Sequence, residues 1–324
     1  MPMLRTARET EVQGIAQPLS LLINQSPAIT VPTTRSFDLT LAGALALIAN
    51  LAYCTPDAEE CERKTRAKVV PCEAYARIIE EGPLDFIALM ASMDFPDVSI
   101  IRTKCFVAIV VPARDLLLVG VRGTQFAYDW FLNVRITKKR NQVGDRFHSG
   151  FYSEAHKLFV LLQQDLSNRF QRSRNSTDLR LFLSGHSLGG AIAAILHQHD
   201  MTPAAGCYTF ASPRICSSMN LDKISQPFAV RRELDIVPHL PPKPFGYADF
   251  ADQKRTNGSL YESVSKLEYY FYLQWLSSLA FARFLEFHSM EQYVREIIGS
   301  VKVLPNVQRY WEEERFVARG WPYA

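Results

Sequence analysis

Apolar residues fall along the chain in two kinds of run. Short unbroken runs suit buried strands: CFVAIVVP (105–112), LLLVGVRG (116–123), LRLFLS (179–184), GCYTFAS (206–212) and PFAVRR (227–232). The first two flank Ala113-Arg114-Asp115, a spacing that predicts a hairpin. Elsewhere the period is helical. Phe151, Ala155, Leu158, Phe159, Leu162, Leu166 and Phe170 share one face of a helix predicted over 151–172, and that stripe reads as core. A further helix is expected after the 179–184 run, ending near His199, and another opens at His288. LTLAGALALIANLAYC (39–54) predicts an amphipathic helix packed on the domain, too short to span a bilayer comfortably. Residues 261–287 read as one aromatic-rich helix. Residues 1–37, with Pro2, Pro18, Pro27 and Pro32 and little periodicity, predict an N-terminal arm. Strands alternating with helices imply an α/β fold whose sheet is mostly parallel and covered on both faces.

Composition narrows the function classes. At 324 residues and 48% hydrophobic content, one large core is within reach, and a second full domain is not required. The net charge is +3, with basic residues scattered; RKTRAK (63–68) and KKR (138–140) read as solvated faces, so no nucleic-acid partner is expected. The six cysteines form no C-x-x-C pair and no metal-ligand spacing, so no metal site is expected. Cys105 and Cys207 fall in predicted strands as core thiols, which leaves Cys54, Cys61, Cys72 and Cys216 as candidate disulfide partners with no pairing chosen. The opening MPMLRTARETEVQG lacks a basic start followed by an apolar core, so no export signal is expected and a cytoplasmic location is favoured over secretion.

The candidate chemistry begins at LFLSGHSLGGAIAAI (181–195). A strand that turns sharply into a helix needs small residues where its two backbones nearly touch, and Gly185 and Gly189 stand on either side of Ser187. The residue at such an apex is forced outward, where a serine is poised to attack. A serine hydroxyl needs a base to take its proton, and the base needs a carboxylate to hold its ring. In sheets of this kind the order along the chain is Ser, acid, His, which sets aside His148, His156 and His186. Asp235 follows directly on the strand PFAVRR, where a strand-end carboxylate belongs; Asp222, Asp249 and Asp252 have no such placement. His239 and His288 remain as bases. His239 sits in a proline-bounded turn four residues from the acid, whereas His288 follows a long connection and can be set over the serine, so His288 is the choice. For the oxyanion, one donor is the backbone N–H of Leu188, and the other is expected from Thr124 at the end of the 116–123 run, through its N–H and its hydroxyl.

VRGTQFAYDW (121–130), FHSGFY (147–152), SGHSLGGA (184–191), YTFASPRI (208–215), DIVPHLPP (235–242) and the late His288 together resemble the class 3, fungal-type triacylglycerol lipase family, over about residues 39–298. The resemblance implies an α/β-hydrolase fold with a mostly parallel central sheet, helices on both faces and a short lid helix. It implies the triad Ser187, Asp235 and His288 and the oxyanion pair Thr124 and Leu188. It places the lid at about 125–135, with Phe126 and Phe131 as its lipid-facing residues and Trp130 as a packing position. The expected division is an N-terminal arm (1–37), a hydrolase domain (38–300) and a C-terminal extension (301–324). The expected activity is serine carboxylester hydrolysis on acylglycerols, with a lipid or ester substrate, contact with a lipid surface and no cofactor. A phospholipase or soluble-ester esterase of the same fold, or a non-catalytic lipase-like module, are the rival readings. The pattern departs from secreted relatives between Asp235 and His288, where the aromatic-rich run 261–287 replaces loops and strands.

Overall fold

Strands that are apolar on every residue need cover on both sides, and burial along the central strands shows that they have it. The computed structural model describes residues 2–25, 36–55, 86–103, 106–123, 138–140, 146–172, 179–198, 204–217, 225–261 and 286–301. In chain order the sheet strands are β1 (Ser99–Arg102), β2 (Val107–Ala113), β3 (Leu116–Val121), β6 (Arg180–His186), β7 (Ala204–Phe210), β8 (Phe228–Arg231) and β9 (Gln253–Arg255). A separate antiparallel pair is formed by β4 (Lys138–Arg140) and β5 (Arg146–His148). The large sheet has the order β1-β2-β3-β6-β7-β8-β9. Its first three strands are antiparallel, and every pairing from β3 onward is parallel.

Alternate residues serve alternate faces. Ile109, Val111, Leu116 and Leu118 point into one core, while Ala108, Val110, Leu117, Val119 and Val121 point into the other. The second core is closed by α3 (Ser149–Arg172) and α4 (Leu188–Leu196). On α3 the expected stripe is buried through Phe151, Ala155, Leu158, Leu162 and Leu166, with Phe159 partly buried beside it.

The first core holds α1 (Pro2–Gln25), α2 (Leu39–Leu51) and α5 (Met290–Ser300). Here the structure differs from two sequence expectations. The helix over 39–51 is not amphipathic: Leu41 through Ala49 are all buried, because α2 lies on the sheet and is itself covered by other helices. A Cβ at Gly120 on β3 would stand 2.6 Å from the Ile48 carbonyl oxygen, which measures how closely α2 and the sheet approach. The N-terminal segment is likewise not a loose arm. It contains a helix whose Val12, Ile15, Ala16, Leu19, Leu22 and Ile23 are buried in the core, at the spacing of one helical face. Pro18 lies inside that helix without ending it. No described helix is long and apolar enough to cross a membrane. The predicted lid (125–135), most of the predicted helix 261–287, the predicted strand residue Cys105 and the C-terminal extension from 302 lie outside the described residues.

Candidate active site

β6 runs into α4 through a single residue, Ser187. Its backbone is left-handed, with φ 56° and ψ −130°, a conformation a non-glycine residue holds only under constraint from its surroundings. The glycines supply that constraint. A Cβ on Gly185 would lie 2.3 Å from the Gly189 carbonyl oxygen, and one on Gly189 would lie 2.2 Å from the Val121 carbonyl oxygen. Strand, turn and helix are therefore in backbone contact, and β3 is pressed against the start of α4. Leu188 is the first residue of α4, so its N–H has no partner within the helix and lies at the positive end of the helix dipole.

The three residues chosen from sequence meet at this turn. The His288 Nε2 lies 2.7 Å from Ser187 Oγ, and its Nδ1 lies 3.0 Å from both carboxylate oxygens of Asp235. A carboxylate accepts, so Nδ1 carries the proton; Nε2 is then the acceptor for the serine hydroxyl. Ser187, His288 and Asp235 are 2%, 6% and 0% exposed, so the chain of hydrogen bonds is shielded from water along its length. His239 sits in the one-turn helix Val237–His239, and its backbone carbonyl accepts from Arg214. Asp249 is occupied elsewhere: it pairs with Arg214 at 2.7 Å and Lys243 at 2.8 Å. Burial works to raise its carboxyl, but the Arg214 and Arg231 guanidiniums outweigh this and hold it below the usual range.

Asp235 has two further donors. The Val237 N–H reaches Oδ1 at 3.0 Å, and the Tyr293 hydroxyl donates to Oδ2 at 2.8 Å. Tyr293 lies on α5, five residues past His288, and sequence reasoning missed it. Burial first, and then the Asp235 charge, push its phenol well above the ordinary range, so it remains a donor. Its oxygen accepts the Arg232 N–H at 3.0 Å. A tyrosine following a candidate base on a helix carries no signal of its own; only the fold brings its hydroxyl to the acid.

Thr124, Phe126 and Phe131 lie outside the described residues, but Gly123 does not. A Cβ there would stand 2.9 Å from Ser187 Cβ, so the residue preceding Thr124 is in contact with the nucleophile's turn. The sequence profile of the family described as Lipase (class 3) matches residues 118–245, from within β3 through Ser187 and Asp235 to Phe245. Over this stretch the chain is similar to the class 3 lipases. Among solved structures it is similar to the lipase from Rhizopus microsporus var. chinensis, at 21% identity over 62% of this chain and 76% of that one, with a TM-score of 0.44. It is also similar to lipase II from Rhizopus niveus, at 18% identity over 62% of this chain and 82% of that one, with a TM-score of 0.45. His288 lies beyond the matched family stretch, so its place in the site rests on the geometry alone.

Proposed function

We propose that this protein is a serine carboxylester hydrolase of the class 3 lipase type acting on acylglycerols, with Ser187 as nucleophile, His288 as base and Asp235 as the acid that orients it. The observation that carries the reading is the unbroken path Ser187 Oγ, His288 Nε2, His288 Nδ1, Asp235, built at a strained strand-to-helix turn. In the first half-reaction Ser187 Oγ attacks the ester carbonyl carbon while its proton passes to His288 Nε2. Negative charge collects on the former carbonyl oxygen, where the Leu188 N–H and Thr124 are the proposed donors. Collapse breaks the ester C–O bond; the alcohol leaves with the proton from His288, and the acyl group stays on Ser187. Water then repeats the sequence, its proton going to His288 and returning to Ser187 Oγ as the carboxylic acid departs. The cycle closes without a metal or organic cofactor. The domain division proposed is a hydrolase domain over 38–300 with a C-terminal extension, α1 being packed against the domain. Phe126 and Phe131 are proposed to open a lid over 125–135 against a lipid surface, where their rings leave water.

A substrate panel tests the class. Emulsified triolein, short p-nitrophenyl esters and phosphatidylcholine should all be tried on the full chain, and triolein should be turned over with a rate that rises once an emulsion forms. Turnover confined to dissolved esters, or phosphatidylcholine cleaved in preference to triolein, would overturn the acylglycerol reading and leave an esterase or a phospholipase of the same fold.

A further inference from the structure

His288 is carried by a short element. It closes the one-turn helix Glu286–His288, directly before Ser289, the N-cap of α5. Two side chains from other parts of the fold hold the main chain there. Arg232 Nη1 donates to the Phe287 carbonyl at 2.7 Å, and His186 Nε2 lies 2.8 Å from the His288 carbonyl oxygen. His186 is the residue immediately before the nucleophile, and its ring lies 4.7 Å, centroid to centroid, from the ring of His288.

The partners of His186 fix its tautomer. A carbonyl can only accept, so Nε2 carries a proton. Burial, and then the nearness of His288, hold the ring far below its ordinary value, so it is neutral and Nδ1 is bare. The Tyr53 hydroxyl, 2.7 Å away, therefore donates to Nδ1. Burial keeps that phenol protonated, although the Arg122 guanidinium, 6.0 Å from its ring, and the Gly123 bond pull the other way. The Tyr53 oxygen also accepts the Gly123 N–H at 3.2 Å. Tyr293, whose ring is 6.0 Å from that of His186, completes the titratable surroundings together with His288. The bonds run in one direction: Gly123 N–H to Tyr53, Tyr53 O–H to His186, His186 N–H to the His288 carbonyl. They tie the end of β3, the 3-10 turn after α2, the nucleophile's turn and the base, across sequence separations of 70, 133 and 102 residues.

We propose that His186 and Tyr53 are positioning residues that set the main chain of His288 and of Gly123 in one register with Ser187. The inference rests on the Ser187–His288–Asp235 reading above. Because the pair touches neither Ser187 Oγ nor either imidazole nitrogen of His288, its effect belongs in the chemical step and not in binding. A displaced base costs rate steeply, so the loss expected on cutting the chain is about tenfold to a hundredfold in kcat.

The test uses the full chain and a dissolved short p-nitrophenyl ester. Tyr53→Phe removes one hydroxyl from an otherwise intact ring and should lower kcat about tenfold, with KM within about twofold. His186→Leu should cost more, and His186→Gln, whose Nε2 can still donate to the His288 carbonyl, should recover part of the difference. If the pair forms one chain, Tyr53→Phe combined with His186→Gln should lose less than the product of the single losses. The downfield proton signal of the His288–Asp235 bond should shift in Tyr53→Phe, which a distant packing defect would not cause. Wild-type kcat in a folded Tyr53→Phe, equal losses in Leu and Gln variants, or losses confined to KM would overturn the proposal. Ser187→Ala, assayed alongside, separates the two levels. An inactive Ser187→Ala with an unimpaired Tyr53→Phe defeats the positioning role alone, while an active Ser187→Ala defeats the triad reading beneath it.

Discussion

Asp235 is wholly buried and takes bonds from His288, Tyr293 and the Val237 N–H, so its carboxylate is oriented from three directions. Tyr293→Phe removes one donor without opening a cavity. A hydrogen bond to a charged group is worth about 1.5–3 kcal/mol, and part of that should appear as a lower Tm. The carboxylate also loses a restraint on the face it turns to His288, so kcat should fall about tenfold while KM holds. Thermal unfolding and steady-state kinetics on a dissolved ester check both; unchanged kcat and Tm would mean that the Tyr293–Asp235 bond does nothing. The sequence marked Ser187 because glycines two positions to either side, between an apolar strand run and a helical one, fit a sharp strand-to-helix turn, and it marked Asp235 because strand ends converge on one sheet edge. It could not mark Tyr293, Tyr53 or His186 in their roles. Their work is done by a hydroxyl or a ring nitrogen reaching another segment, and such a partner has no local pattern.

The central strands and α3 could be read directly, since each carries one period over many residues. The elements that escaped are those where one cue masked another. In α1 the helical spacing of Val12, Ile15, Leu19, Leu22 and Ile23 was present, but Pro18 read as a break. β1 and β9 are short edge strands, and Gln253-Lys254-Arg255 offers no apolar alternation at all. α1 gives the sharpest test at this scale. Leu19 is fully buried, so Leu19→Ala should destabilise the protein by about 2–5 kcal/mol, whereas the exposed Gln17→Ala should change it by no more than about 0.5 kcal/mol. Chemical denaturation measures both. A Leu19→Ala variant as stable as wild type would return this segment to the status of a loose arm.

Across the whole molecule, stability is tied to histidines that the fold keeps neutral. Burial lowers His148 and His197 from the ordinary 6.5 to about 4, and burial and the nearness of His288 hold His186 well below it too. In the unfolded chain each takes up its proton near 6.5. Between about 6.5 and 4 the unfolded state therefore binds more protons, and the native state loses stability as the pH falls. Each such histidine contributes a slope of up to about 1.4 kcal/mol per pH unit in that window. Tm should decline steadily from pH 6.5 to 4, and His197→Gln should flatten the decline by removing one of the protons involved. A Tm that is flat or rises toward pH 4, or a slope unaltered in His197→Gln, would contradict this.

Everything proposed for the site depends on Ser187 as the nucleophile and on His288 as the base that activates it. The most direct measurement is stoichiometric labelling of the full chain with a fluorophosphonate, followed by peptide mass analysis and repeated on His288→Ala. One label per chain is expected, on Ser187, with ester turnover lost in proportion to labelling and the labelling rate lowered about a thousandfold or more when His288 is removed. A label on another serine, or labelling of Ser187 that proceeds at the same rate without His288, would contradict it.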